Sequence, residues 1–264
     1  MVHPSSYGDL ERPPLRQRAL QRALEPDGWR LEVLDSAGST NAVVADRARA
    51  GEPGGLVVVA EAQTSGRGRL DRTWVSPPRA GLTFSVLVRP SLPANSLPWL
   101  PLVTGLAVAT ALQERAEVDA ALKWPNDVLI DGRKVCGVLA ELPVAGAVVL
   151  GIGLNVTTRA SELPHERATS LRLAGASTSD RGTVLRAVLR SLGRVLSDVE
   201  AARAAYRERC STVGLVVRVE LPGGTAVEGV AQAVDDDGRL VVDGVPYGAG
   251  DVVHLRRGSG PGDC

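Results

Sequence analysis

The sequence predicts an α+β fold, a mixed and mainly antiparallel sheet with packed helices, followed by a small C-terminal β-barrel. Three observations predict it. Apolar runs of strand length alternate with long stretches of helical periodicity. Neighbouring runs are joined by hairpin signals such as Asp131-Gly132-Arg133. Beyond Ser211 the texture changes to short strands separated by Pro-Gly-Gly, Asp-Asp-Gly and Gly-Ala-Gly turns. With 264 residues and 44% hydrophobic side chains there is room for one sizeable core and a second, smaller one.

Taken in order, residues 1–28 are rich in Pro, Arg and Gln and carry one short helical pattern, Leu15 to Leu24, ended by Pro26. They are expected to be a partly ordered extension. Trp29 to Leu34 alternates as a strand, and Ser39-Thr40-Asn41 opens a helix that Gly51 stops. Leu56 to Ala60 and Gly81 to Arg89 read as buried strands, and Leu97 to Glu117 as a helix. Pro125 interrupts the strand signal between Leu122 and Ile130, and Lys134 to Glu141 and Ala147 to Leu154 complete the sheet. Thr183 is expected to cap one long helix, Val184 to about Arg209, whose stripe of Leu185, Val188, Leu192, Val195, Leu196 and Val199 packs on that sheet. The expected barrel strands are Val213–Val219, Ala226–Val234, Leu240–Asp243 and Asp251–Arg256, so the division is 29–211, 212–257 and a flexible tail at 258–264.

Composition excludes several classes. The 30 Lys+Arg balance 30 Asp+Glu and aromatics are 3%, so no general attraction to nucleic acid or anionic lipid is expected and anion recognition has to be local. No run reaches the roughly 18 apolar residues of a membrane span, and the amino terminus lacks the pattern of a secretory signal. Cys136, Cys210 and Cys264 are far apart and odd in number, which fits a reducing, cytoplasmic location.

Local anion recognition has an evident candidate in Glu61-Ala-Gln63-Thr-Ser-Gly66-Arg67-Gly68-Arg69-Leu-Asp71-Arg72-Thr-Trp74. Its glycines allow close backbone approach, and its arginines are permanently charged forks suited to carboxylate or phosphate. A dinucleotide fingerprint would need a third glycine where Asp71 stands. A solvated basic turn or an RNA-binding Arg/Gly patch accounts for the segment taken alone. The rest of the chain adds weight. Of the 30 basic residues only Lys123 and Lys134 are lysines, and three of the four asparagines, Asn41, Asn126 and Asn155, fall in the same few segments. A chain this biased towards arginine keeps lysine where a compact ammonium must reach one oxygen. Ordinary roles compete at each position: an N-cap at Ser39 or Thr40, a β-turn at Pro125-Asn126-Asp127, a hairpin end at Lys134. Gly137, and Gly151 alternating with Gly153, leave strand faces bare for a flat ligand.

In this order and combination the motifs resemble those of bacterial biotin protein ligases, especially the short ones without an amino-terminal DNA-binding domain. The resemblance spans about Trp29 to Arg256 and rests on Ser39-Thr40-Asn41, Gln63, Gly66-Arg67-Gly68-Arg69 with Trp74, Lys123-Trp124-Pro125-Asn126-Asp127, Lys134 with Gly137, and Gly151-x-Gly153-x-Asn155. It implies a core like that of class II aminoacyl-tRNA synthetases, shared with lipoate ligases, and an SH3-like terminal barrel. It also implies ATP-dependent activation of biotin to biotinyl-5′-AMP, then transfer to a lysine of a biotin carboxyl carrier domain. By the resemblance Ser39, Thr40, Asn41, Gln63, Gly68, Gly137, Gly151 and Gly153 would hold biotin, and Lys134, Arg67 and Arg69 would act on its carboxylate and the α-phosphate. Arg69, Trp74, Lys123, Asn126, Asp127 and Asn155 would hold ATP, with Mg2+ near Asn126 and Asp127, and the protein would be a monomer or homodimer. A lipoate or octanoate enzyme of the same superfamily is the alternative. Asp71 stands where many members have glycine, and Cys136 where glycine or alanine is common; an inward Cys136 would narrow the biotin slot.

Overall fold

The computed structural model describes residues 11–70, 72–221, 224–248 and 250–255. The expected tail and residues 1–10, Asp71, Arg256 and Cys264 lie outside the described residues.

In chain order the elements are α1 (Gln17–Leu24), β1 (Arg30–Leu34), α2 (Thr40–Arg49), β2 (Leu56–Ala60), β3 (Gly81–Val88), α3 (Trp99–Ala116), β4 (Ala121–Lys123), β5 (Asp127–Ile130), β6 (Arg133–Val144) and β7 (Ala147–Asn155). Then come α4 (Arg181–Ser197), α5 (Val199–Arg209), β8 (Val216–Glu220), β9 (Ala226–Val234), β10 (Leu240–Val242), β11 (Val245–Tyr247) and β12 (Asp251–His254). The first seven strands form one sheet in the order β1-β2-β3-β7-β6-β5-β4, and the last five a second sheet in the order β11-β10-β9-β8-β12. Among the strands of the described residues only the β1–β2 pair is parallel, because α2 is the one crossover within the large sheet that returns the chain in the same direction to a neighbouring strand.

The alternation of β7 explains the layering. Val148, Leu150, Ile152 and Leu154 enter the main core with α3 and α4, whereas Ala147 and Val149 face the other way into a smaller cluster with Val44, Ala45 and Ala48 of α2. Past Val149 that second face is left to Gly151, Gly153 and Asn155, and it is there that the sheet is open.

Four sequence expectations change. Asp180, not Thr183, caps the helix: its carboxylate accepts from Thr183 N at 2.7 Å, and the helix starts at Arg181. The single helix to Arg209 is two. Asp198 has φ −143° and accepts from Ala201 N, so a side chain that competes with the helical backbone ends α4 and caps α5. The stripe of α4 packs chiefly against α3 rather than the sheet. An additional strand, β11, follows because Asp243 (φ 46°) and Gly244 (φ 81°) form a tight two-residue reversal.

Residues 11–28 are docked on the core. Leu20 and Leu24 are buried in it, and Gln17 and Gln21, one helical turn apart, present their carbonyl oxygens to the free edge of β1. Val33 N donates to Gln17 at 3.0 Å and Leu31 N to Gln21 at 2.6 Å. The second sheet is fixed by two indoles from the first unit: Trp99 Nε1 donates to Asp236 O at 2.8 Å and Trp124 Nε1 to Gly238 O at 2.9 Å. Among the described residues no helix is long and apolar enough to cross a membrane.

The buried ion pair Arg181–Glu61, at 2.5 Å with both side chains about 5% exposed or less, joins α4 to the end of β2, and Glu61 also accepts from Leu15 N. Removing one partner strands the other charge out of water. Glu61→Ala is expected to lower stability by about 3–5 kcal/mol, read as a lower urea midpoint at unchanged slope; a loss under about 1 kcal/mol would mean water reaches Arg181.

Candidate active site

One register row crosses all seven strands: Leu34, Ala60, Thr83, Gly153, Gly137, Asp127 and Lys123 lie opposite one another in turn. Paired residues share a face, so the two central glycines form a strip of bare backbone. The Trp74 indole lies on it. A Cβ on Gly153 would run into that ring, and one on Gly137 would stand 3.5 Å from its Cζ3 and 3.1 Å from Lys134 Nζ. The cavity above the strip measures about 200 Å³, less than the roughly 300–1,000 Å³ of most small-molecule sites, because the indole fills part of it.

Two residues along, the row Ser85, Gly151 and Leu139 carries a neutral polar floor at the start of α2. Thr40 N donates to Gln63 Oε1 at 2.8 Å, and Thr40 Oγ1 lies 3.2 Å from the same oxygen. Ser85 Oγ lies 2.7 Å from Thr40 Oγ1 and 2.6 Å from Asn41 Oδ1. Asn41 rests directly on Gly151, where any Cβ would strike its amide, and donates to Glu141 Oε2 at 2.6 Å. Ser39, Thr40 and Asn41 are buried and also line the cavity. Ser39 precedes α2 but makes no side-chain cap bond.

The opposite wall is cationic. Lys134 Nζ sits 2.5 Å from Asp127 Oδ1 and 5.9 Å from the Trp74 ring centre. Residues 66–70 and 72–74 lie over the strip and pair with each other as a small covering hairpin, with Trp74 N donating to Gly66 O at 2.9 Å and Gly68 N to Arg72 O at 2.6 Å. From it Arg67 reaches Glu141 at 3.2 Å, and Arg72 pairs with Asp251 at the start of β12. Arg69 is largely buried, which pulls its pKa down against the opposing charge of Asp127. Its Nη1 and Trp74 Nε1 have no hydrogen-bond partner among the described residues. Two buried donors facing one cavity ask for acceptors.

Of the residues expected from sequence, all but Lys123 line this cavity. Lys123, in the same register row, stands behind Asp127; burial lowers its pKa, and its charge bears on His254 of β12. Asn126 donates to Val138 O at 2.8 Å and Asn155 to Thr169 O at 3.0 Å, which fixes both amides at the rim. Cys136 faces away, fully buried in the main core, so it does not narrow the slot, and burial pushes its thiol far up. Trp124 belongs to the junction with the second sheet, not to the cavity. Sequence reasoning missed Thr83, Ser85, Glu141 and Asp251 as site residues. Thr83 and Ser85 had a signal, two hydroxyls at period two inside an otherwise apolar strand; Asp251 had none, since it arrives by the docking of the second sheet.

No group of three or more His, Cys, Asp or Glu side chains able to hold a metal occurs among the described residues. Asp127 is one carboxylate beside Asn126, which suits an ion that arrives with phosphate oxygens and takes one or two protein ligands.

Residues 33–156 match the biotin/lipoate A/B protein ligase family, and residues 214–255 the biotin protein ligase C terminal domain. The biotin--[acetyl-CoA-carboxylase] ligase of Mycobacterium tuberculosis is 44% identical over 94% of this chain and 98% of that one. Among solved structures, the Aquifex aeolicus biotin protein ligase in complex with biotin and ATP superposes with a TM-score of 0.74 at 32% identity, covering 85% of this chain and 99% of that one. The Leishmania major biotin protein ligase with biotinyl-5-AMP gives 0.63 at 28% identity, covering 86% and 98%.

His254 supplies a pH test of how the second sheet meets this site. Its Nε2 is 3.1 Å from Thr212 Oγ1, and burial first, then the Lys123 charge, push its pKa from 6.5 down to about 4. Above pH ~6.5 the ring is neutral in folded and unfolded chains alike; below it the unfolded chain takes up the proton first, so stability falls as pH drops towards about 4. His254→Asn is expected to flatten the stability–pH profile in that window, measured by urea denaturation. A profile parallel to the wild type would contradict the neutral, half-buried imidazole.

Proposed function

The chain belongs to the biotin protein ligases, and on that premise we propose that the cavity joins biotin to ATP and passes the product to a carrier-protein lysine. The observation that carries this is the cavity's polarity. A neutral hydrogen-bonding floor at α2 and a cationic wall at β5–β6 are separated by a strip of bare glycine backbone, which suits a ligand with a polar uncharged head, an apolar body and an anionic end.

The reaction is difficult because a carboxylate must approach a polyanion. Cations placed beforehand neutralise that approach and stabilise the charge that grows on the α-phosphoryl group. Thr40, Asn41, Gln63 and Ser39 take the ureido ring, and Gly137, Gly151 and Gly153 give room for its bicycle and chain. Lys134, held by Asp127, stands where the biotin carboxylate and the α-phosphate meet. Arg67, Gly68 and Arg69 close over them, and Trp74 leaves the strip to cover the adenine that Asn155 bonds. Lys123 acts from behind Asp127, as a charge and not as a direct contact. Magnesium, brought in by the ATP phosphates, would be held by Asp127 with Asn126 and would offset phosphate charge. The biotin carboxylate oxygen attacks the α-phosphorus and pyrophosphate leaves. The lysine amine of the carrier domain of a biotin-dependent carboxylase then attacks the carbonyl of biotinyl-5′-AMP, and AMP leaves. The closed loop keeps water from the mixed anhydride between the two steps.

Residues 29–211 hold the chemistry in this reading, and 212–257 brace the loop from one side through Asp251. The named relatives are biotin ligases, and no feature of the cavity favours lipoate or octanoate.

Purified protein with ATP, magnesium, biotin and a carrier domain is expected to release pyrophosphate only when biotin is present and to add the mass of one biotinyl group, biotin less a water, to one carrier lysine. Octanoate and lipoate in parallel are expected to give neither signal. Lys134→Ala is expected to lose about 10²–10³ in adenylation rate at an unchanged far-ultraviolet circular dichroism spectrum; near wild-type turnover would remove Lys134 from its role.

A further inference from the structure

Glu141 lies at the far end of β6 from Lys134 and, among the described residues, carries the one carboxylate in contact with the polar floor. Its Oε2 accepts from Asn41 Nδ2 at 2.6 Å and from Arg67 Nη2 at 3.2 Å, so one oxygen joins α2 to the covering hairpin. The two contacts differ in kind. Asn41 is buried, at 4% exposure; the Arg67–Glu141 pair is half exposed and adds little to stability.

A carboxylate accepts only, so Glu141 settles which way the Asn41 amide faces. With Nδ2 towards Glu141 and the Leu139 carbonyl, Oδ1 faces Ser85. Ser85 has one proton for two neighbours, and the Asn41 oxygen takes it. Thr40 then donates its own proton to Ser85 or to Gln63 and turns a lone pair to the cavity. Gln63, whose oxygen already accepts from Thr40 N, keeps its amide hydrogens for a ligand. The floor therefore presents an acceptor beside a donor, the complement of a ring that carries N–H next to C=O. Gly151 is what allows Asn41 to lie in this chain of bonds.

We infer that Glu141 is a positioning residue for the biotin head group: it fixes the hydrogen-bond polarity of the Asn41–Ser85–Thr40–Gln63 floor and parks Arg67 of the covering hairpin. It touches neither the reacting carboxylate nor the phosphate. The inference deepens the function proposed above and rests on it for the identity of the head group; the Arg67 contact stands without it.

The test uses the full chain as wild type, E141A and E141Q, with KM for biotin and for ATP measured separately by pyrophosphate release. E141A is expected to raise the biotin KM about tenfold, with the ATP KM within about twofold and thermal unfolding close to wild type. E141Q keeps one carbonyl oxygen for Asn41 and is expected to recover most of the biotin KM. E141A frees Arg67, so trypsin is expected to cut the ligand-free chain after Arg67, Arg69 or Arg72 several-fold faster than in wild type; E141Q, which keeps the oxygen but loses the charge, is expected to fall between the two. A biotin KM unchanged in E141A, or biotin and ATP KM rising together, overturns the positioning role. An unchanged tryptic rate in E141A overturns the parking of Arg67. Absence of biotin-dependent pyrophosphate release from the wild type would instead refute the proposed function, and the tryptic comparison would still read the contact itself.

Discussion

The site depends on one constraint, the register that brings Thr83, Gly153, Gly137 and Asp127 into a single row across four strands. Side chains in a sheet alternate faces, so a slip of one residue in β7 or β6 could replace a glycine with Leu154 or Cys136 and turn the open strip into core. The same register places Ser85, Gly151 and Leu139 in the next row on the same face, which is why the polar floor and the bare strip are contiguous. Register is strongly specified here because the opposite face is buried under α3 and α4. The core's demand for Leu82, Leu150, Ile152 and Leu154 on one side sets the position of the ligand-bearing side.

The second sheet contributes to the site through how firmly it is held. Trp99 and Trp124 reach across with their indole N–H groups to two carbonyls of one turn, and Trp124 N also donates to Thr212, which meets His254. With that junction fixed, β12 presents Asp251 to Arg72 of the covering hairpin. The hairpin is thus tied on two sides by carboxylates from different units, Glu141 and Asp251, and its indole rests on the glycine strip between them. Each tie is an exposed or half-exposed ion pair, weak enough to exchange for a ligand anion.

Much of this was legible in the sequence. The strands β2, β6, β7 and β9 follow from apolar runs and glycine punctuation, and the polar motifs fell on one face because strand periodicity and hairpin lengths left them little choice. What escaped was non-local or a matter of competing bonds. The break at Asp198 arises because its carboxylate caps the next turn, which periodicity does not register. Lys123 and Lys134 read alike as rare lysines, yet only the register separates one in the cavity from one behind it. Trp124 looked like part of a catalytic motif and is instead a strut to the second sheet, a role visible only once Gly238 is brought beside it.

The cover over β1 bears on how this molecule behaves in a crowd. An outer strand with free N–H groups is a template on which another chain can extend a sheet, the route to fibres and insoluble aggregates. Here two glutamine carbonyls from α1 already occupy the Leu31 and Val33 amides, and at the other end β4 is closed by the chain at Cys210 and Ser211. Residues 11–28 therefore serve as a guard on the sheet's margin. Trimming them back past Gln21 would expose a ready seam for polymerisation on the edge remote from the glycine strip.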